Sequence, residues 1–197
     1  MKKFIYAILP IFLMMNSCEE GEMERTIFIA DENNPTLPAY SEWGYNSFGA
    51  IYDRNYFLVS KMVTPCKITY DKGILNFYLI GKVDYNNNSE MVLTFSFPSK
   101  QMNQYKDLTA LNNTTINLLD DKCTVKIESD NNEDKVSIIS GNLTFKRAQL
   151  LKIDGEENIV ILSGVFEMRF LRKGRPETIS DGRFDMAINK DFYSFPE

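Results

Sequence analysis

Catalysis needs nucleophiles, proton carriers or metal ligands at workable spacings, and this sequence is short of all three. None of its 197 residues is histidine. That removes the side chain whose charge changes near neutral pH, the serine–histidine and cysteine–histidine pairs, and the commonest zinc ligand. The three cysteines, Cys18, Cys66 and Cys123, are too few for a zinc or iron–sulfur centre, and no Gly-x-Ser-x-Gly turn is present. The sequence predicts neither a metal nor a cofactor.

Carboxylates are the remaining route to bond cleavage, because two of them about 5 to 9 Å apart can hydrolyse a glycosidic bond without histidine. The pairs Asp120-Asp121, Glu133-Asp134 and Glu156-Glu157 all fall in turn-like sequence, where acids are solvated or shape the backbone. Adjacent residues on a strand would also point to opposite faces. The run DNNED at 130–134 offers oxygen ligands but lacks the glycine and distal glutamate of an EF-hand loop. A small carboxylate-dependent hydrolase is therefore the alternative reading and not the first.

Aromatic residues make up 13% of the chain, and Trp43, Tyr45 and Tyr85 lie near the ends of predicted strands. Flat rings beside amides and carboxylates suit the apolar faces and hydroxyls of a sugar; the same rings could instead close the end of a β domain. Cys66 and Cys123 each start a predicted strand on its apolar side. They either pair, closing a loop worth roughly 4 kcal/mol in the chain-entropy model, or stand as buried thiols.

The elements that must position these groups are strands. From about Trp43 onward, period-2 runs rich in Val, Ile, Phe, Tyr and Thr alternate with turn signals. The spacing predicts strands over 47–52, 56–63, 66–70, 74–83, 90–97, 114–119, 122–129, 135–139, 142–152, 158–172 and 178–188. In EMVLTFSF, Met91, Leu93, Phe95 and Phe97 share one face, and Glu90, Val92, Thr94 and Ser96 the other. Residues 98–112 lose the alternation and predict a loop with one short helical turn. Gly164, inside a long strand, predicts a bulge. The expected fold is a single all-β antiparallel sandwich or barrel-like domain of about ten strands spanning residues 42–197.

The amino terminus is organised differently. Lys2 and Lys3 precede an apolar stretch, Phe4 to Met15, which is too short for a bilayer span of roughly 20 residues and reads as a secretory signal. Met15-Asn16-Ser17-Cys18 resembles a bacterial lipobox, in which the cysteine sulfur receives a diacylglyceryl group and the chain is cut before it. On this reading residues 1–17 are signal peptide and Cys18 is the lipid attachment point, with palmitate among its acyl chains. Residues 18–41, carrying Pro35 and Pro38, form a flexible tether. Glu19, Glu20, Glu22 and Glu24 look like the acidic export signal of outer-membrane surface lipoproteins; the periplasmic leaflet is the alternative. Loss of residues 1–17 leaves 20 basic residues against 27 acidic, a net −7 that disfavours nucleic acid as a partner.

Residues 161–188, with Gly164-Val165-Phe166 leading into Ile179-Ser180-Asp181-Gly182-Arg183-Phe184-Asp185, resemble the closing hairpin of a group of uncharacterised Bacteroidetes lipoproteins. Asn46-Ser47-Phe48-Gly49-Ala50 is similar to that group's Asn-Thr-Phe-Gly strand. The resemblance implies a compact β domain without an assigned activity, and it carries over no catalytic residues. The functional expectation is a non-catalytic cell-envelope lipoprotein that binds a glycan or an envelope protein. A structural surface subunit, with residues 25–40 as a donor strand, is a further alternative.

Overall fold

The computed structural model describes residues 26–60, 65–83, 89–129, 132–153 and 156–194. The expected signal peptide (residues 1–17), Cys18, the acidic run and Tyr85 lie outside them. The fold is all-β: one curled sheet forms a half-barrel, and every ladder but one is antiparallel.

Twelve strands appear among the described residues. They are β1 (Ser47–Tyr52), β2 (Asn55–Val59), β3 (Cys66–Asp71), β4 (Ile74–Val83), β5 (Ser89–Pro98), β6 (Thr114–Asn117), β7 (Thr124–Ser129), β8 (Asn132–Lys135), β9 (Ser137–Ile153), β10 (Glu156–Arg172), β11 (Arg175–Ile188) and β12 (Tyr193–Ser194). The sheet order is β6-β9-β10-β11-β1-β2-β4-β5-β7-β8, with β3 on β4 and the short β12 running parallel to β3. The helical turn predicted after β5 is a 3₁₀ helix, Tyr105–Leu111, which buries Leu108 and Leu111.

Most predicted strand limits fall within a residue or two of those observed. The larger differences are β2, which ends at Val59 and not at 63, β11, which starts at Arg175 and not at 178, β8, which begins at Asn132, and residues 140–141, left between the predicted strands 135–139 and 142–152. At residues 140–141 β9 is continuous, because Ser140 pairs with Arg169 and Gly141 with Met168 of β10, and the irregularity there is a register shift that leaves Ile139 unpaired between Ser140 and Ile138. A long-range ladder overrides a local preference.

The concave face is the core. Met91, Leu93, Phe95 and Phe97 of β5 are buried, as their alternation requires. Curling brings β4 and β5 over β9–β11, so that Phe77, Phe145 and Phe184 meet with ring centroids 5.0 to 5.9 Å apart. Phe95 lies edge-on to Phe166 at 5.5 Å. Tilted and edge-to-face pairs of this kind add to the apolar burial. At the open side, Arg172 reaches from the end of β10 to Asp134 of β8 (3.0 Å) and Ser129 of β7 (2.7 Å). It also donates to the Tyr52 hydroxyl, which bonds Glu177. Burial pushes the Asp134 carboxyl up, but bonds from Lys173 and Arg172 outweigh it and hold the group below its ordinary range.

The structure chooses between the two readings of the cysteines and revises the extent of the tether. Cys66 and Cys123 are free thiols. Cys66 is in register with Leu79, Leu93 and Ile127, three strand spacings or about 14 Å away from β7, whereas a disulfide needs Cα atoms within about 7 Å. Burial pushes both thiols up, with the charge of Asp120 adding to the effect at Cys123. The tether expected through residue 41 is folded from its second half on. Leu37 is fully buried, Ala30 bridges Pro38, and the Ile27 N–H donates to the Tyr45 carbonyl at 2.8 Å. This strap, residues 27–45, packs where β1 has no side chain: a Cβ on Gly49 would collide with Pro38 and lie 3.0 Å from Leu58.

Candidate functional site

The convex face of β6, β9, β10 and β11 carries polar residues in rows across the strands. Thr115 pairs with Thr144, Thr144 with Val165, and Val165 with Arg183. The next row runs Asn117, Asn142, Glu167, and a third sets Ser140 beside Arg169 and Thr178. Two adjoining hollows of about 430 and 440 Å³ lie over these rows and share Asn142 and Glu167. From Lys146 to Ser140 the groove follows β9 for about 20 Å at 3.3 Å per residue.

Bulges shape this surface. Ser163 pairs with Arg147 and Gly164 with Phe145, which leaves Lys146 as an extra residue in β9. The break predicted at Gly164 is thus found at that step, but the added residue belongs to the neighbouring strand. A second bulge gives β11 one residue more than both β1 and β10, around Ser180-Asp181-Gly182. Asp181 sits there with φ of 52°, a conformation Asp tolerates better than most residues. Bulges re-aim side chains, and these two put Lys146 and Asp181 into the first hollow.

Tyr40 forms a wall of the same hollow. Its hydroxyl donates to Glu42 at 2.8 Å, and the Lys146 ammonium lies 4.9 Å from its ring centre. Burial and the Glu42 carboxylate push the Tyr40 phenol well above its usual value, so it stays a neutral donor. Glu42 in turn pairs with Arg147 at 3.4 Å. An aromatic face, a cation and a file of hydroxyls and amides therefore converge on one groove.

The strap that carries Tyr40 is fixed at two points. The first is Asp185, 2% exposed. It accepts hydrogen bonds from the N–H groups of Trp43 (3.1 Å), Gly44 (2.8 Å) and Tyr45 (3.2 Å), and from the hydroxyls of Ser163 (2.7 Å) and Ser41. The motifs at the two ends of the domain meet here: Ser47 pairs with Asp185, Phe48 with Phe184 and Gly49 with Arg183. Asn46, fully buried, accepts from the Ala187 N–H at 2.9 Å.

The second point is Asp31, which pairs with Arg183 at 2.6 Å. The N–H groups of Asn33 and Asn34 hold the Asp31 carboxyl below its ordinary value, with Arg183 adding to this against partial burial. A depressed folded-state value means that Asp31 stabilises fully above about pH 4, and that this contribution is lost as pH falls through the folded value. The melting temperatures of wild type and Asp31→Asn are therefore expected to differ at pH 6 and to converge towards pH 2.5. A gap that stays constant over that range would contradict the assignment.

The structure places the other sequence-derived candidates as follows. Trp43 is 74% exposed and lines neither hollow; Tyr45 is half-buried at the Asp185 cluster. Asp120 and Asp121 are exposed in a turn, where Asp120 accepts from the Lys122 N–H. Glu133 pairs with Lys126 and Asp134 with Arg172, on opposite sides of β8. Among the described residues no group of three or more acids and cysteines is placed to hold a metal ion. Sequence reasoning missed Tyr40, which lies in a Pro- and Asn-rich segment, and missed the groove, whose alternating polar residues look like any solvated strand face. Comparison of the chain with protein-family models, with curated proteins and with solved structures gave no match.

Proposed function

We propose that the mature chain is a non-catalytic envelope lipoprotein, held by acyl chains on Cys18 at the outer membrane and displayed at the cell surface, whose body binds a glycan. The groove over β9–β11 carries this reading. An elongated, open surface about 20 Å long, walled by Tyr40 and floored by Asn142, Thr115 and Thr144, offers ring contact and hydroxyl partners to an extended chain of sugars. Its width of pairing across four strands suits a polymer better than a compact ligand.

The hydrolase alternative would use Glu167 and Asp181, the carboxylates of the first hollow. Both are exposed. A glycosidic general acid needs an apolar, dehydrated setting to keep its proton, and neither has one. The donor-strand alternative competes with the strap's own packing, since Leu37 and Pro38 fill the notch over Gly49.

The test is a glycan array probed with the mature chain carrying Cys18→Ala. Binding to at least one extended glycan is expected, weakened about tenfold by Tyr40→Ala, which corresponds to roughly 1.4 kcal/mol. A wild-type chain that binds no sugar removes the glycan reading. Incorporation of labelled palmitate, lost in Cys18→Ala, checks the anchor separately.

A further inference from the structure

Seven large apolar side chains are exposed among the described residues, and four of them, Ile27, Phe28, Ile29 and Trp43, belong to the strap. The other three, Leu119, Ile139 and Leu171, lie towards the opposite end of β9 and β10. In an extended segment three consecutive residues cannot all face the core. Here Ile27, Phe28 and Ile29 are each 42 to 48% exposed, so the strap presents three consecutive apolar side chains to solvent.

This surface is held rigidly. The Ile27 N–H bonds the Tyr45 carbonyl at 2.8 Å, the Ile29 carbonyl accepts from Ala39 at 2.7 Å, and Asp185 fixes the backbone of Trp43, Gly44 and Tyr45. A tryptophan kept in water by four hydrogen bonds from its own strap to one buried carboxylate is presented to something. Chain length says what. Cys18 stands nine residues before Ile27, so the strap lies within about 30 Å of its own attachment point, even with the intervening chain fully extended.

We propose that the Ile27–Ile29 and Trp43 surface docks into the headgroup–acyl boundary of the bilayer that anchors Cys18, an inference that rests on the lipid-anchor reading. Trp favours that boundary because its ring is apolar with one N–H that can stay wet, and the wholly apolar Ile and Phe side chains add buried area beside it. Their insertion needs no free-energy cost for bringing the protein to the membrane, which the acyl chains have already met. The mature chain's net −7 and its acidic run select a zwitterionic surface over an anionic one. Docking also orients the groove. Arg147 and Lys146 lie at the strap end of β9, so the Lys146 end of the groove faces the bilayer and the Ser140 end points outward.

The single tryptophan makes this measurable. The mature chain carrying Cys123→Ser is coupled through Cys18 to a maleimide-bearing lipid in phosphatidylcholine vesicles; Cys66, fully buried, does not react. This tether substitutes for acylation, so the result does not depend on whether cells lipidate Cys18. Trp43 emission is expected to shift to shorter wavelength and to be quenched at least twofold by brominated acyl chains. The triple variant Ile27→Asn, Phe28→Asn, Ile29→Asn is expected to keep the emission of a water-exposed indole. Docking is overturned if tethered wild type is unquenched, if the triple variant is quenched equally, or if soluble glycans produce the same shift without vesicles.

Discussion

Replacing Asp185 by alanine is expected to destabilise the fold by about 3 to 5 kcal/mol, lowering the melting temperature of this 197-residue chain by about 10 °C. The carboxylate accepts from three backbone N–H groups and two hydroxyls, and its removal leaves these donors facing a space that water enters poorly. Each unpaired buried donor costs about 1 to 3 kcal/mol, partly relieved where the strap lifts away. Asp185→Asn is expected to recover little of the loss. An amide keeps one accepting oxygen but turns its NH₂ toward groups that also donate. Because Asp185 holds the Trp43 backbone, the emission of the alanine variant is expected to change below the melting transition, as the strap loosens before the sheet opens. Circular dichroism and tryptophan fluorescence on the same sample separate the two events; superimposed transitions with a wild-type midpoint would contradict the assignment.

Phe145→Ala is expected to cost a comparable 3 to 5 kcal/mol by another route. Phe145 is fully buried and meets Phe77, Phe97 and Phe184 with ring centroids 5.7 to 5.9 Å apart. The contacts join β9 to β4, β5 and β11, so truncation opens a cavity between the two halves of the curled sheet. Strands locked in ladders on both sides cannot collapse into it. The variant is expected to melt about 10 °C lower while its folded-state Trp43 emission stays that of wild type, since the strap hangs from Asp185 and Asp31. A melting temperature within 2 °C of wild type would show that the core relaxes around the loss.

Alternation was legible wherever one strand face is buried and the other wet. The run from Glu90 to Phe97 shows why: burying Met91, Leu93, Phe95 and Phe97 together forces both conformation and facing. The 3₁₀ helix was legible as a loss of that period. What could not be read was any feature set by partners far apart in the chain. Residues 140–141 fall between two predicted strands until β10 lies beside them, and Lys146 becomes a bulged residue only because Ser163 and Gly164 pair on either side of it. Asp185 alternates wrongly for a core residue, and nothing near it in sequence announces its donors, which come from residues 41–45 and 163. Pro35, Pro38 and the asparagines between residues 31 and 40 signalled a tether. They instead shape a strap whose Leu37 is buried, since a turn-rich segment is free to pack wherever a surface is cut to receive it.

By itself, then, the sequence determined the all-β class, the inward and outward faces of the strands, the acidic charge and the absence of the histidine side chain. Each of these is a property of composition or of a two-residue period, and needs no knowledge of what lies across the sheet. Tertiary structure alone decided that the sheet curls into a half-barrel, that Cys66 and Cys123 stay apart, that Tyr40 walls a groove and that Trp43 is turned to solvent. Those outcomes depend on register between strands distant in sequence, and register is fixed by the simultaneous packing of the whole core.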